Sequence, residues 1–126
     1  MTQQVINIGA GANDSTGDPI RTAFAKVNAN FTELYSSRHT TQLVTASSYT
    51  ATSSDYYIGV NYAGPVSIIL PSVSDGNQLV IKDDSGRCAS YPITIVGTID
   101  NSTGGAILTV NNGALTLIYR SGWRLI

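Results

Sequence analysis

Charge is scarce in this sequence. Lys, Arg, Asp and Glu make up 12% of its 126 residues, about half the ~25% of an ordinary soluble domain. Seven basic and eight acidic side chains leave a formal net charge of −1, and the basic ones are scattered. Without a basic cluster, neither a nucleic-acid backbone nor an acidic membrane surface can be captured electrostatically. The single cysteine, Cys88, excludes an intrachain disulfide and any metal site built on several thiolates; it reads as a small, half-buried apolar residue. The single histidine, His39, falls in a polar stretch and reads as a solvated linker residue. No run approaches the ~18 apolar residues that span a bilayer. The opening MTQQVINIGA lacks the basic start and long apolar stretch of a signal peptide. A soluble protein with no export signal of its own is expected.

Chemistry is equally thin. There is no HExxH, GxSxG, GxxxxGK[ST] or CxxC pattern, and a Ser-His-Asp arrangement would have to recruit His39 from its linker. Gly9-Ala10-Gly11 follows a strand-like run as a dinucleotide loop does, but Asp14 stands where the third glycine belongs and no βαβ unit follows. Asp14, Ser15, Thr16, Gly17 and Asp18 cluster oxygen atoms as calcium loops do, yet the EF-hand spacing fails and the bidentate Glu is missing. Turn formation and helix capping account for them, and a hairpin turn accounts for Asp83-Asp84-Ser85-Gly86. Glycoside hydrolysis by Asp83, Asp84 and Asp100 would need a deep cleft that so short a chain does not provide. Tyr56, Tyr57, Tyr62, Tyr91, Tyr119 and Trp123 suit cores and interfaces, where an aromatic body packs and its polar tip finds a partner. The expected protein is not an enzyme and has no catalytic residue, cofactor or metal.

What is present is 42% hydrophobic residues, diluted by Ser, Thr, Asn and Gly. That composition suits β-rich assemblies in which a neutral face packs against a copy of itself. Residues 1–18 are polar and turn-rich apart from Val5-Ile6-Asn7-Ile8. A helix is predicted over 19–36, with Asp18 as its N-cap and Pro19 at its first position. Ile20, Phe24, Val27, Phe31 and Leu34 recur at heptad-like spacing on one face, with Arg21, Thr22, Lys26, Asn30 and Glu33 opposite. So short a helix is marginal alone. Its apolar face needs a partner: the β module, sister helices or a neighbouring protein.

Residues 36–48 read as a linker. Beyond it come strand candidates at 48–53, 56–61, 65–70, 77–83, 91–97, 106–110, 114–120 and 123–126. Asn111-Asn112-Gly113 is a hairpin signal, and Gly122 marks another turn. Val66–Leu70 and Leu79–Ile81 are apolar on both faces, which points to burial against another subunit or to a thick two-sheet core. The expected fold is mainly β: residues 1–40 form an attachment arm and helix, and 41–126 form an antiparallel β-sandwich or intertwined β-prism.

A family resemblance sharpens this. Val5-Ile6-Asn7-Ile8-Gly9, Asn13-Asp14-Ser15-Thr16-Gly17-Asp18-Pro19-Ile20-Arg21-Thr22-Ala23-Phe24 and Lys26-Val27-Asn28-Ala29-Asn30-Phe31-Thr32-Glu33-Leu34-Tyr35 resemble the segment that opens many tail-fibre and related virion proteins of tailed bacteriophages. Leu70-Pro71-Ser72, Gly76, Leu79–Gly86, Pro92–Ile95 and the final Trp123-Arg124-Leu125-Ile126 look like the β module that recurs along such fibres. The resemblance implies a homotrimeric structural protein of the virion, in the tail fibre or at the baseplate. It would be assembled in the host cytoplasm beside other virion proteins and docked through Ile20, Phe24, Val27, Phe31, Leu34 and Tyr35. A capsid decoration or cement protein, and a small receptor- or glycan-binding module, remain the alternatives, since such fibres often continue into a receptor-binding region and this chain stops after one module.

Overall fold

A computed structural model of the chain describes residues 3–36 and 39–126. They belong to two compact units, Met1–Arg38 and His39–Ile126.

The first unit is an irregular arm followed by α1 (Ile20–Ser36). The Pro19 carbonyl accepts the first helical hydrogen bond, from Ala23 N at 2.9 Å.

The second unit carries nine strands: β1 (Thr41–Val44), β2 (Ser48–Thr50), β3 (Tyr57–Val60), β4 (Val66–Ile69), β5 (Gln78–Asp83), β6 (Ile93–Val96), β7 (Ala106–Leu108), β8 (Ala114–Tyr119) and β9 (Trp123–Leu125). They form two sheets, ordered β1-β3-β5-β8-β9 and β2-β4-β6-β7. Successive strands alternate between the sheets through β6, so each turn of chain adds one strand to each sheet. Tyr57 lies beside Thr41 and Val80 beside Tyr57 in one sheet; Ser67 lies beside Ser48 and Ile93 beside Val66 in the other.

All of these pairings are parallel, which corrects the expectation of an antiparallel module. Only β5–β8, β6–β7 and β8–β9 are antiparallel. The physical reason is in the connections. A strand whose apolar side faces inward can fold back beside itself or turn the corner into the opposite sheet; both bury the same side chains, and both need the same turn residues. Asn112 does adopt a positive φ of 60°, as the Asn-Gly signal requires. It nevertheless joins β7 to β8, which lie in different sheets. Likewise Gly86, at φ 70°, starts an arch from β5 to β6 and not a hairpin. The turn at Ser121-Gly122 is a true hairpin, closed by Arg120 N on Gly122 O at 2.8 Å. β1 falls in the stretch read as linker, and His39, read there as solvated, is exposed but stacks on Tyr56 with ring centroids 3.7 Å apart.

The inward side chains make one core shared by both sheets. Ile58, Ile68, Leu79, Ile81, Ile93, Ile95 and Leu117 are fully buried, each stabilising the fold by roughly 1.5–3 kcal/mol. The core is closed at the first turn by polar-tipped side chains. Gln42 occupies the row of Ile58 and Ile81, and Tyr49 donates its hydroxyl to Asp55 at 2.9 Å. At the other end Trp123 is buried, meets Tyr119 edge-on at 5.4 Å and donates Nε1–H to Pro71 O.

One inward position is charged. Asp83 ends β5 in the row of Val60 and Val44 and is 1% exposed. Its Oδ1 accepts from Ser85 N at 3.1 Å, Ser85 Oγ at 2.6 Å and Gly86 N at 3.0 Å. Its Oδ2 accepts from Cys88 N at 3.0 Å and Asn112 N at 3.1 Å. Cys88, itself fully buried and not half-buried as expected, donates its thiol to Val110 O, and Asn111 Oδ1 takes Ala89 N at 2.9 Å. The carboxylate thus ties the β5–β6 arch to the β7–β8 turn. Burial pushes its pKa up, but the Ser85 hydroxyl and the N–H groups of Cys88, Asn112 and Gly86 outweigh that and hold it at about 2, against an ordinary 3.8.

Asp83→Ala orphans these donors, so chemical denaturation of the β unit is expected to show a loss of about 3 kcal/mol or more, with Asp83→Asn intermediate. Because the folded pKa is depressed, the stability from this carboxylate is present above pH 3.8 and is lost as pH falls toward about 2. The wild-type β unit should therefore lose more stability over that interval than the Asp83→Asn variant.

Candidate docking surface

The N-terminal unit is organised by polar side chains that hold the arm along α1. Asn7 exchanges two bonds with Asp18: Asn7 N donates to Asp18 Oδ2 at 2.9 Å, and Asp18 N donates to Asn7 O at 2.7 Å. Lys26 lies two turns further along the helix. Its Nζ pairs with Asp18 Oδ2 at 2.5 Å and donates to Val5 O at 2.9 Å. One turn on, Asn30 binds both backbone groups of Gln4: Gln4 N donates to Oδ1 at 2.7 Å and Nδ2 donates to Gln4 O at 2.9 Å. The arm therefore runs antiparallel to the helix, fastened at Asp18, Lys26 and Asn30.

The loop between arm and helix is locked by Asp14. Its carboxylate accepts from Ala10 N at 2.8 Å, Gly11 N at 2.6 Å and Thr16 N at 2.9 Å. The Thr16 amide and hydroxyl and the Gly11 amide are the chief causes that lower its pKa to about 2 from 3.8. Asp18 is lowered as well, first by Lys26 and then by Asn7. Gly17 packs against the backbone of Asn7, Ile8 and Gly9, where a Cβ would lie 3.0–3.1 Å from main-chain atoms. Gly9, at φ 79°, would drive a Cβ into Asp14 and Thr16.

Asp18 was expected to cap the helix. Its carboxylate is instead committed to Asn7 and Lys26, because the returning arm brings a backbone N–H and the ammonium within its reach. Lys26 and Asn30, placed by the sequence on a solvated polar face, are the fasteners of the arm. Their signal was the four-residue spacing of 26 and 30 in line with 18, one ridge of a helix.

The predicted docking residues share the helix face that the arm leaves bare. Ile20 is 76% exposed, Phe24 60%, Phe31 55% and Leu34 56%, and Val27 is half-buried. Tyr35 lies in the last turn, and its side chain is outside the described residues. The arm adds Val5 and Ile8, 69% and 88% exposed.

The carboxylates weighed for catalysis are each engaged elsewhere. Asp83 is enclosed in its network, Asp84 accepts the Tyr57 hydroxyl at 2.5 Å above Gly59, and Asp100 accepts Leu125 N at 3.4 Å. The Asp84 contact and burial push Tyr57 up to about 12. No group of three or more His, Cys, Asp or Glu placed to hold a metal ion occurs among the described residues. No family model and no curated protein matches the chain.

Replacing Asp18 with Asn removes the ion pair and weakens the bond from Asn7. Amide exchange at Gln4 and Asn7 should then quicken several-fold while α1 keeps its helical signal. The same loosening should appear in wild-type protein as pH falls below 3.8: Asp14 takes up its proton at about 2, and Asp18, held below its ordinary value by Lys26 and Asn7, takes up its own in acid; the amide shifts of Asn7, Ala10 and Gly11 report it.

Proposed function

We propose that the chain is a structural protein of a tailed-bacteriophage particle, part of a tail fibre or of the baseplate, that works as a homotrimer and docks through its N-terminal arm and helix. The observation that carries this reading is the bare stripe of Ile20, Phe24, Phe31 and Leu34 on a helix whose flank is already braced. A contiguous run of large apolar side chains left in water marks an interaction surface. The bracing residues Asn7, Asp14, Thr16, Asp18, Lys26 and Asn30 all belong to the sequence pattern that resembles the phage module, and so does the stripe. The pattern thus describes one physical object, a helix stiffened by its arm with one face reserved for a partner.

The β unit fits a role in assembly. The outward row Ser48, Ser67, Thr94 and Ile107 and the neighbouring row Thr50, Ile69 and Val96 carry no charge. Ile107 is 62% and Val96 45% exposed. A neutral face of hydroxyls and aliphatics meets a copy of itself without repulsion, as the faces of a prism-like trimer must.

Phage carrying Phe24→Asp with Phe31→Asp should assemble particles that hold less than a tenth of the normal amount of this protein, although the β unit of the purified variant melts as in wild type. Wild-type incorporation of the double variant rejects the docking assignment. Labelled protein found on the head of the particle, not on the tail, moves the assignment to a decoration protein.

A further inference from the structure

The arm does more than brace its own helix: we propose that it closes the seam between neighbouring copies, with Val5 and Ile8 of one chain packed on the Arg21–Asn28 flank of the next chain's α1. This rests on the reading of the stripe as a docking face and names its occupant, a second copy of this chain.

The heptad assignment places the arm. With Phe24 and Phe31 at a, and Ile20, Val27 and Leu34 at d, the g positions are Ala23 and Asn30, and Arg21 and Asn28 fall at e. In a parallel bundle, g of one helix faces e of the next, and oppositely charged pairs there usually set partner choice. This helix has no charge at either g position. Ala23 is small, and the Asn30 amide is spent on Gln4. The arm occupies that flank instead, held at Asn30, Lys26 and Asp18. Val5 and Ile8 remain 69% and 88% exposed, though nothing in the bracing of the arm requires an apolar residue at either place. The only charge at the facing e positions is Arg21, so copies brought together this way meet no like charge on the g side.

Exposure favours the same occupant. Ile20, Phe24, Phe31 and Leu34 are each more than half exposed, and Val5 and Ile8 are 69% and 88% exposed; a contact that covers stripe and arm together comes nearer to the size of a stable interface than one on the stripe alone.

The antiparallel course of the arm sets Val5 level with Lys26, so in a parallel bundle its nearest e residue on the next copy is Asn28. Two full-length variants, Val5→Cys and Asn28→Cys, are mixed and mildly oxidised, and peptide mapping reads the cross-link. The two new thiols start on different chains, so a disulfide between positions 5 and 28 joins copies; Cys88 is buried and serves as the background in unmodified protein. That link is expected, together with at least a tenfold weaker association of a Val5→Ser/Ile8→Ser variant by sedimentation. If the oligomer persists, responds to Phe24→Asp, gives no link between 5 and 28 and is indifferent to the serine variant, the seam proposal is wrong while the docking face stands. If the wild-type chain is monomeric at every concentration, a second copy is not the occupant, and the docking face is judged by incorporation into particles alone.

Discussion

A carboxylate in an aliphatic core must be surrounded by donors or it will not stay ionised, and Asp83 imposes that condition on two separate stretches of chain. Ser85, Gly86, Cys88 and Asn112 reach it only if the β5–β6 arch curls back over the strand end and the β7–β8 turn arrives at the same point. The last parallel strands and the first antiparallel ones are joined there. Without that meeting point the two arches would be left with contacts such as Cys88 to Val110 and Ala89 to Asn111, because their turn residues fix only local dihedral angles. A fully satisfied buried polar network makes a unique arrangement cheaper than any near alternative, since each alternative strands a donor away from water.

This explains why some of the fold was legible in the sequence and some was not. Period-two alternation and the turn residues located eight of the nine strands, since side-chain direction and positive φ are local properties. β1, Thr41–Val44, looks like linker because Thr41 and Gln42 are polar and only Val44 is buried; it is a strand because β3 offers it an edge. Pairing direction is not local. Asn112-Gly113 satisfies a hairpin and an arch equally well, and what separates them is Asp83, 29 residues away. The apolar second face of Val66–Leu70 and Leu79–Ile81 also has a plainer structural side: Val66, Ile68, Leu79 and Ile81 supply the core, while Ile69 and Val80 are half-buried on the outward faces.

The N-terminal unit was legible in a different way. The apolar stripe follows directly from heptad spacing. The bracing of the arm does not, because Asn7, Lys26 and Asn30 read singly as surface residues, and a cap is the ordinary duty of an aspartate before a helix. Only the return of the arm turns Asp18 from a cap into a cross-link. Gly17 is the residue that permits the return, through close approach of backbone to backbone at Asn7 and Gly9.

Both units solve one problem that the scarcity of charge creates. A chain with so few cations cannot lock its loops with ion pairs, and Lys26–Asp18 is the one salt bridge among the described residues. It uses carboxylates facing backbone N–H groups instead: three amides on Asp14 and four on Asp83. Such locks differ from ion pairs in two respects. The amide partner does not titrate, so only protonation of the acid releases it, and both acids are held near 2. The contact is also short-ranged and saturated, so dissolved salt has little long-range attraction to screen. The outward sheet face can then stay neutral, which the proposed packing of identical faces against one another requires.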